Sequence, residues 1–165
     1  AGGREEGGVR GCAAGNNRVV GLKPTVGLVA QEGIIPISHR QYTAGAICRT
    51  VTDAAILLGV LQSPFGEVRG HKLPRDYTKF LRRGALRGAR IGIDRRYFKI
   101  GYGGEADIIH VVEPALQVMH SLGATLVQTE RGDTRAYTDA ESTVLLYLLK
   151  GQIAITLAIL CNTRL

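Results

Sequence analysis

The stretch from residue 90 to residue 129 constrains the fold most. Arg90–Asp94 (RIGID) is short, β-branched and bounded by turn residues, which predicts a strand. Glu105–Leu122 carries apolar residues at Ile108, Ile109, Val112, Leu116, Met119 and Leu122, and that spacing predicts a helix with one apolar face. Pro114 is expected to kink it, and Gly123 to cap its end. Ala124–Thr129 (ATLVQT) then predicts a second strand. Two strands joined by a crossover helix lie parallel, so the sheet is parallel or mixed and the class is α/β.

The flanking segments extend this frame. Val19–Leu22 reads as a short buried strand stopped by Lys23-Pro24. Thr50-Val51-Thr52-Asp53 is a capping box at the head of an apolar helix that Pro64 stops. Residues 62–89 read as a polar connector, and Arg82, Arg83, Arg87 and Arg90 cluster at its end; a solvated turn is the expected reading of that cluster, with a phosphate or RNA patch as the alternative. Asp139–Leu160 predicts a long helix with a wide apolar face. Its apolar run is interrupted by Lys150, Gly151 and Gln152, which favours a buried or amphipathic helix over a membrane span.

Composition excludes several classes. At 165 residues with 45% hydrophobic side chains, the chain is long and apolar enough to bury a core. The net charge of +7 raises acidic partners and nucleic acid as binding classes. No aromatic-interleaved basic motif accompanies it, so nucleic acid is not the expected partner. Cys12, Cys48 and Cys161 are an odd set without a CxxC pair, which predicts reduced thiols and neither a disulfide framework nor a zinc site. His110 and His120 stand ten apart on the predicted helix, which is no metal-ligand spacing. The opening AGGREEGG has no apolar core, so it does not read as a secretion signal.

Four blocks carry a family resemblance: VVGLKPTVGLV (Val19–Val29), GIIPISH (Gly33–His39), TAG (Thr43–Gly45) and RTVTDAA (Arg49–Ala55). In order and spacing they resemble the amidase signature family, serine hydrolases that cleave amide carbon–nitrogen bonds. Asp76–Leu81 (DYTKFL) and Cys161–Arg164 resemble later segments of the same family. The resemblance implies a Ser–cis-Ser–Lys centre working without metal or cofactor. It also implies a partial amidase-signature fold, a mixed sheet with flanking helices, over 1–165. Both ends are expected to be cut.

Residues 1–18 sit where that family carries its nucleophile loop, which runs roughly G-T-x-T-G-G-S-I-R-x-P-A-A-F-N-G before VVGLKPT. Glycines in such a loop aim backbone N–H groups at a developing oxyanion, and the serine beside them attacks the carbonyl. Matching Arg10 to the loop's arginine puts the serine position on Gly8, and one extra residue around Asn16–Arg18 disturbs the register. Matching Gly7–Gly8 to the paired glycines puts it on Val9. Neither residue has a hydroxyl, and no Ser or Thr precedes Thr25. Gly7 and Gly8 remain as backbone oxyanion donors. Glu5 and Glu6 place negative charge where the chemistry disfavours it. Cys12 falls at or near the loop's proline and reads as a small packed side chain. Lys23 is not the family's catalytic lysine and reads as structural. Ser38 and His39 lack a nucleophile-elbow context and read as a packed, hydrogen-bonded pair. Arg40, Tyr42 and Ala46 depart from the S-Q-D-T-A-G-P pattern of the resembled family.

The resemblance thus implies amide hydrolysis in a chain that lacks its nucleophile, with no catalytic residue and no metal ligand of its own. The expected partner is a small-molecule amide substrate, once missing segments complete the domain. A homodimer is left open, no membrane is expected, and the location implied is cytoplasmic. The alternatives are a non-catalytic remnant that binds or assembles, and a basic nucleic-acid-binding module.

Overall fold

The computed structural model describes residues 2–5, 9–31, 34, 38, 42–64, 67–68, 71–99, 105–130, 132 and 135–162. These divide into two compact units, Ala1–Leu81 with Thr138–Leu165, and Arg82–Tyr137. The sequence marks no boundary between them.

In the first unit, β1 (Gly2–Glu5), β2 (Val20–Gly21) and β3 (Thr43–Cys48) form a three-stranded sheet in the order β1-β3-β2. Both pairings are antiparallel; Gly2 lies opposite Ala46 and Val20 opposite Cys48. The Leu22 N–H donates to the Ala46 carbonyl at 2.8 Å and carries the β2 ladder one residue further. Helix α1 (Val9–Asn16) runs between β1 and β2 in the chain, and helix α2 (Val51–Leu61) follows β3. Thr50 caps α2 as the capping box predicts: its hydroxyl accepts the Asp53 N–H at 3.1 Å. Ala54, Ala55 and Leu58 face inward.

The core of this unit is built on Leu28, Val29 and Leu58, with Leu22, Ala44, Leu61, Leu73 and Tyr77 packed around them. Val29 lies opposite Gln62 in an isolated antiparallel bridge. The Ala30 N–H reaches the Leu61 carbonyl at 3.2 Å, and the Ser63 N–H reaches Leu28 at 3.0 Å. Gln62 sits buried in that seam and accepts the Tyr77 hydroxyl at 3.0 Å. Burial raises the pKa of the Tyr77 phenol. Gly59 is required on α2, because a Cβ there would stand 2.0 Å from the Arg75 carbonyl oxygen.

The polar connector is more ordered than its composition suggests. It holds a two-stranded hairpin, β4 (Glu67–Val68) with β5 (His71–Lys72), and a 3-10 turn at Thr78–Phe80. Asp76 starts that turn by accepting the Thr78 N–H at 2.9 Å and its hydroxyl, which lowers its pKa.

The second unit is the βαβ unit read from the sequence. Strand β6 (Arg90–Ile93) and strand β7 (Thr125–Gln128) are parallel, with Arg90 opposite Thr125 and Ile93 opposite Gln128. Helix α3 (Glu105–Ser121) joins them and runs through Pro114. Its end is a Schellman motif: the Gly123 N–H donates to His120 at 2.9 Å and the Ala124 N–H to Met119 at 3.1 Å. Gly123 takes the left-handed conformation this needs, at φ +96°. Arg95 forks onto Glu113 of α3 at 2.7 and 3.1 Å, and Arg96 onto Asp94 at 2.6 and 2.9 Å.

Helix α4 (Arg135–Asn162) starts four residues earlier than the apolar pattern indicates. Of the buried or amphipathic helix expected from the sequence, the buried form is not what the structure shows. No residue between Ala140 and Ile159 is buried. Leu145, Leu148 and Leu149 are half-buried, while Leu146 is 68% and Tyr147 83% exposed. The span is long and apolar enough to cross a membrane by length and composition, with Lys150 near its middle.

Candidate functional site

The residues read as a nucleophile loop contain a strand and a helix. β1 pairs with the central strand β3, and α1 begins at Val9. Composition hides both elements, because Gly-rich segments read as loop. Gly7 and Gly8, the oxyanion-donor candidates, lie outside the described residues, as do Glu6, His39 and Arg40. Val9, one of the two alternative serine positions, is the first residue of α1. The first N–H groups of any helix lack intrahelical acceptors and carry partial positive charge. No acidic residue occupies the first turn of α1. Cys12 lies on α1, with its side chain outside the described residues.

The end of α1 fixes the register of the segment. The Arg18 N–H donates to Gly15 at 3.1 Å and the Val19 N–H to Ala14 at 2.9 Å, a second Schellman motif. Arg18 holds the left-handed position at φ +52°, the one non-glycine residue among those described to do so. Asn17 braces the same turn, its side-chain amide donating to the Ala13 carbonyl at 2.8 Å. Ala14 is buried beneath it.

The remaining residues singled out in the sequence take structural places. Lys23 is exposed, ahead of a buried Pro24. Ser38 is fully buried, and its carbonyl accepts the Tyr42 N–H at 2.8 Å. Tyr42 and Ala46 are also buried, so both departures from the resembled pattern are taken up by packing. Gln31 ties the two segments together, its amide donating to the Tyr42 carbonyl at 2.9 Å. Sequence reasoning missed Gln31 and Gln62, since a lone glutamine carries no pattern. His110 and His120 are exposed on α3. Among the described residues no group of three or more His, Cys, Asp or Glu is placed to hold a metal ion.

A sequence model of the family described as Amidase matches residues 5–154. The chain belongs to the amidase family. A putative amidase of Arthroderma benhamiae is 37% identical over 126 residues, covering 70% of this chain and 20% of the relative. A glutamyl-tRNA(Gln) amidotransferase subunit from Halorhodospira halophila is 38% identical over 115 residues, covering 68% of this chain and 23% of the relative. The native peptide amidase of Stenotrophomonas maltophilia superposes with a TM-score of 0.81 at 38% identity, over 92% of this chain and 31% of that one. A bacterial aryl acylamidase of the amidase signature family shares the fold, at a TM-score of 0.69 over 99% of this chain and 33% of that one. This amidase-family chain therefore spans a fifth to a quarter of the length of these curated relatives and about a third of the solved structures. Its α/β fold is part of the amidase-signature fold.

Proposed function

We propose that the chain is a stretch of an amidase-signature domain that frames the nucleophile segment but performs no amide hydrolysis by itself. The family's activity is amide carbon–nitrogen hydrolysis. The observation that carries the proposal is the left-handed Arg18 at the end of α1. The family pattern has glycine immediately before Val-Val-Gly-Leu-Lys-Pro-Thr, and glycine is the residue suited to that conformation. With Arg18 in the glycine's place, counting back without a gap sets the serine position on Val9. The paired glycines then fall on Gly7 and Gly8, the two residues directly before α1 in the chain, which are the oxyanion donors of the family pattern. This favours the Val9 register over the Gly8 register, which needs an inserted residue. An isopropyl group at Val9 has no oxygen with which to attack a carbonyl carbon.

In a completed domain the substrate is a small-molecule amide. Free Cys48 and Cys161 fit a reducing, cytoplasmic location. A second reading, a non-catalytic module that binds or assembles, is supported by the exposed apolar side chains of α4. The test is release of nitroaniline from a 4-nitroanilide amide by the purified chain and by its Val9→Ser variant. Neither is expected to exceed the buffer rate, because a serine without its lysine base stays protonated. Turnover by the unmodified chain would overturn the proposal.

A further inference from the structure

The Arg82–Arg90 turn is absorbed neither by the core nor by the family chemistry. No acidic residue lies between Asp76 and Asp94, while Lys79, Arg82, Arg83, Arg87 and Arg90 do. All four of these arginines are exposed. Among the described residues none of the four is in an ion pair, whereas Arg95 and Arg96, a few residues on, are neutralised by Glu113 and Asp94. The backbone that carries them is tightly held. Ala85, Arg87 and Ala89 donate to Arg82, Gly84 and Leu86 at 3.3, 3.0 and 3.0 Å. Gly88 and Thr125 then bond across to Gly123 and Ala89 at 2.8 and 2.7 Å. Left-handed Gly84 and Gly88 make this folding back feasible, at φ +77° and +76°.

We propose that this turn binds the phosphate backbone of a nucleic-acid strand, independently of the amidase reading. Four guanidinium groups project from nine residues that fully extended would span only about 30 Å. A phosphodiester strand carries charge at every nucleotide, a charge density that suits a cluster of four cations in nine residues. Guanidinium forks suit phosphate oxygens in bidentate fashion. Within the turn the apolar residues are Ala85, Leu86 and Ala89, of which Leu86 and Ala89 are half-buried. Phe80 and Leu81, exposed just before it in the chain, are the side chains a bilayer would take, so competition by vesicles is part of the test. A regular polyanion fits better than an acidic peptide, whose carboxylates match this density only in an unbroken acidic run. The contacts are to the backbone, so binding is independent of base sequence.

The test is fluorescence anisotropy of a labelled oligouridine titrated with the whole chain at several salt concentrations. The expected result is binding that weakens with salt, with a log–log slope of about −2 to −3 for three or four phosphates on a single strand. Replacing Arg82, Arg83, Arg87 and Arg90 together with Gln should weaken binding at least about tenfold and bring the slope near zero. Arg95→Gln, which removes an already neutralised cation, should leave both unchanged. Three results would each overturn the proposal: no binding at low salt, binding unaffected by the four-fold variant, or equal competition by polyglutamate or by anionic phospholipid vesicles.

Discussion

Arg18 shows how much one residue decides. It sits in a left-handed conformation that costs an ordinary side chain about 1–2 kcal/mol, and two Schellman hydrogen bonds hold it there. Arg18→Gly is therefore expected to stabilise the chain by roughly 1 kcal/mol, read as a higher urea midpoint with an unchanged slope. A lower midpoint would mean that the Arg18 side chain makes contacts worth more than the backbone strain. Glu113 gives a pH-dependent case. Hydrogen bonding and charge from Arg95 hold its carboxyl below its ordinary value, so its folded pKa lies below its unfolded one. Its contribution is present above about pH 4.5 and fades as pH falls through the lower folded value. Asp76, held down by Thr78, behaves in the same way. Glu113→Gln should flatten the acid limb of a stability-versus-pH curve and leave the shape near neutrality unchanged.

At the scale of elements, Gly59 is the sharpest test of the packing of α2. Glycine in a helix interior ordinarily costs up to about 1 kcal/mol relative to alanine. Here the added methyl would meet the rigid Arg75 backbone oxygen at 2.0 Å. Gly59→Ala is expected to destabilise by about 1–3 kcal/mol in chemical denaturation. A stabilised variant would show that Arg75 moves aside freely. Elements with a strong period or cap were legible in the sequence. The capping box gave α2, the apolar spacing gave α3 with its Gly123 end, and the flanking apolar runs gave β6 and β7 in parallel. Strand β3 was not legible, because TAGAIC carries neither alternation nor bulk, and its place is set by partners on either side. Helix α1 was hidden by its glycines, and the β4–β5 hairpin by its brevity. Within the candidate site, the lack of any Ser or Thr before Thr25 was plain from the sequence, whereas the proposed Val9 register rests on the backbone at Arg18. No residue type announces a left-handed arginine.

For the whole molecule, the exposed side chains of α4 set the solution behaviour. Leu146, Tyr147, Ile155 and Ile159 are all more than half exposed on one helix. Apolar side chains exposed around a helix in this way favour association. The chain is expected to self-associate with rising concentration in sedimentation, and Leu146→Lys with Tyr147→Lys should shift it toward monomer. A monomer at all concentrations would show that α4 is covered within the chain. The proposed loss of the nucleophile is a matter of chemistry, and a fluorophosphonate, which traps activated serines covalently, probes it. Intact-mass measurement after exposure should show an unshifted mass for the purified chain. A stoichiometric phosphonyl adduct would overturn the proposal, and the adducted residue would be the nucleophile.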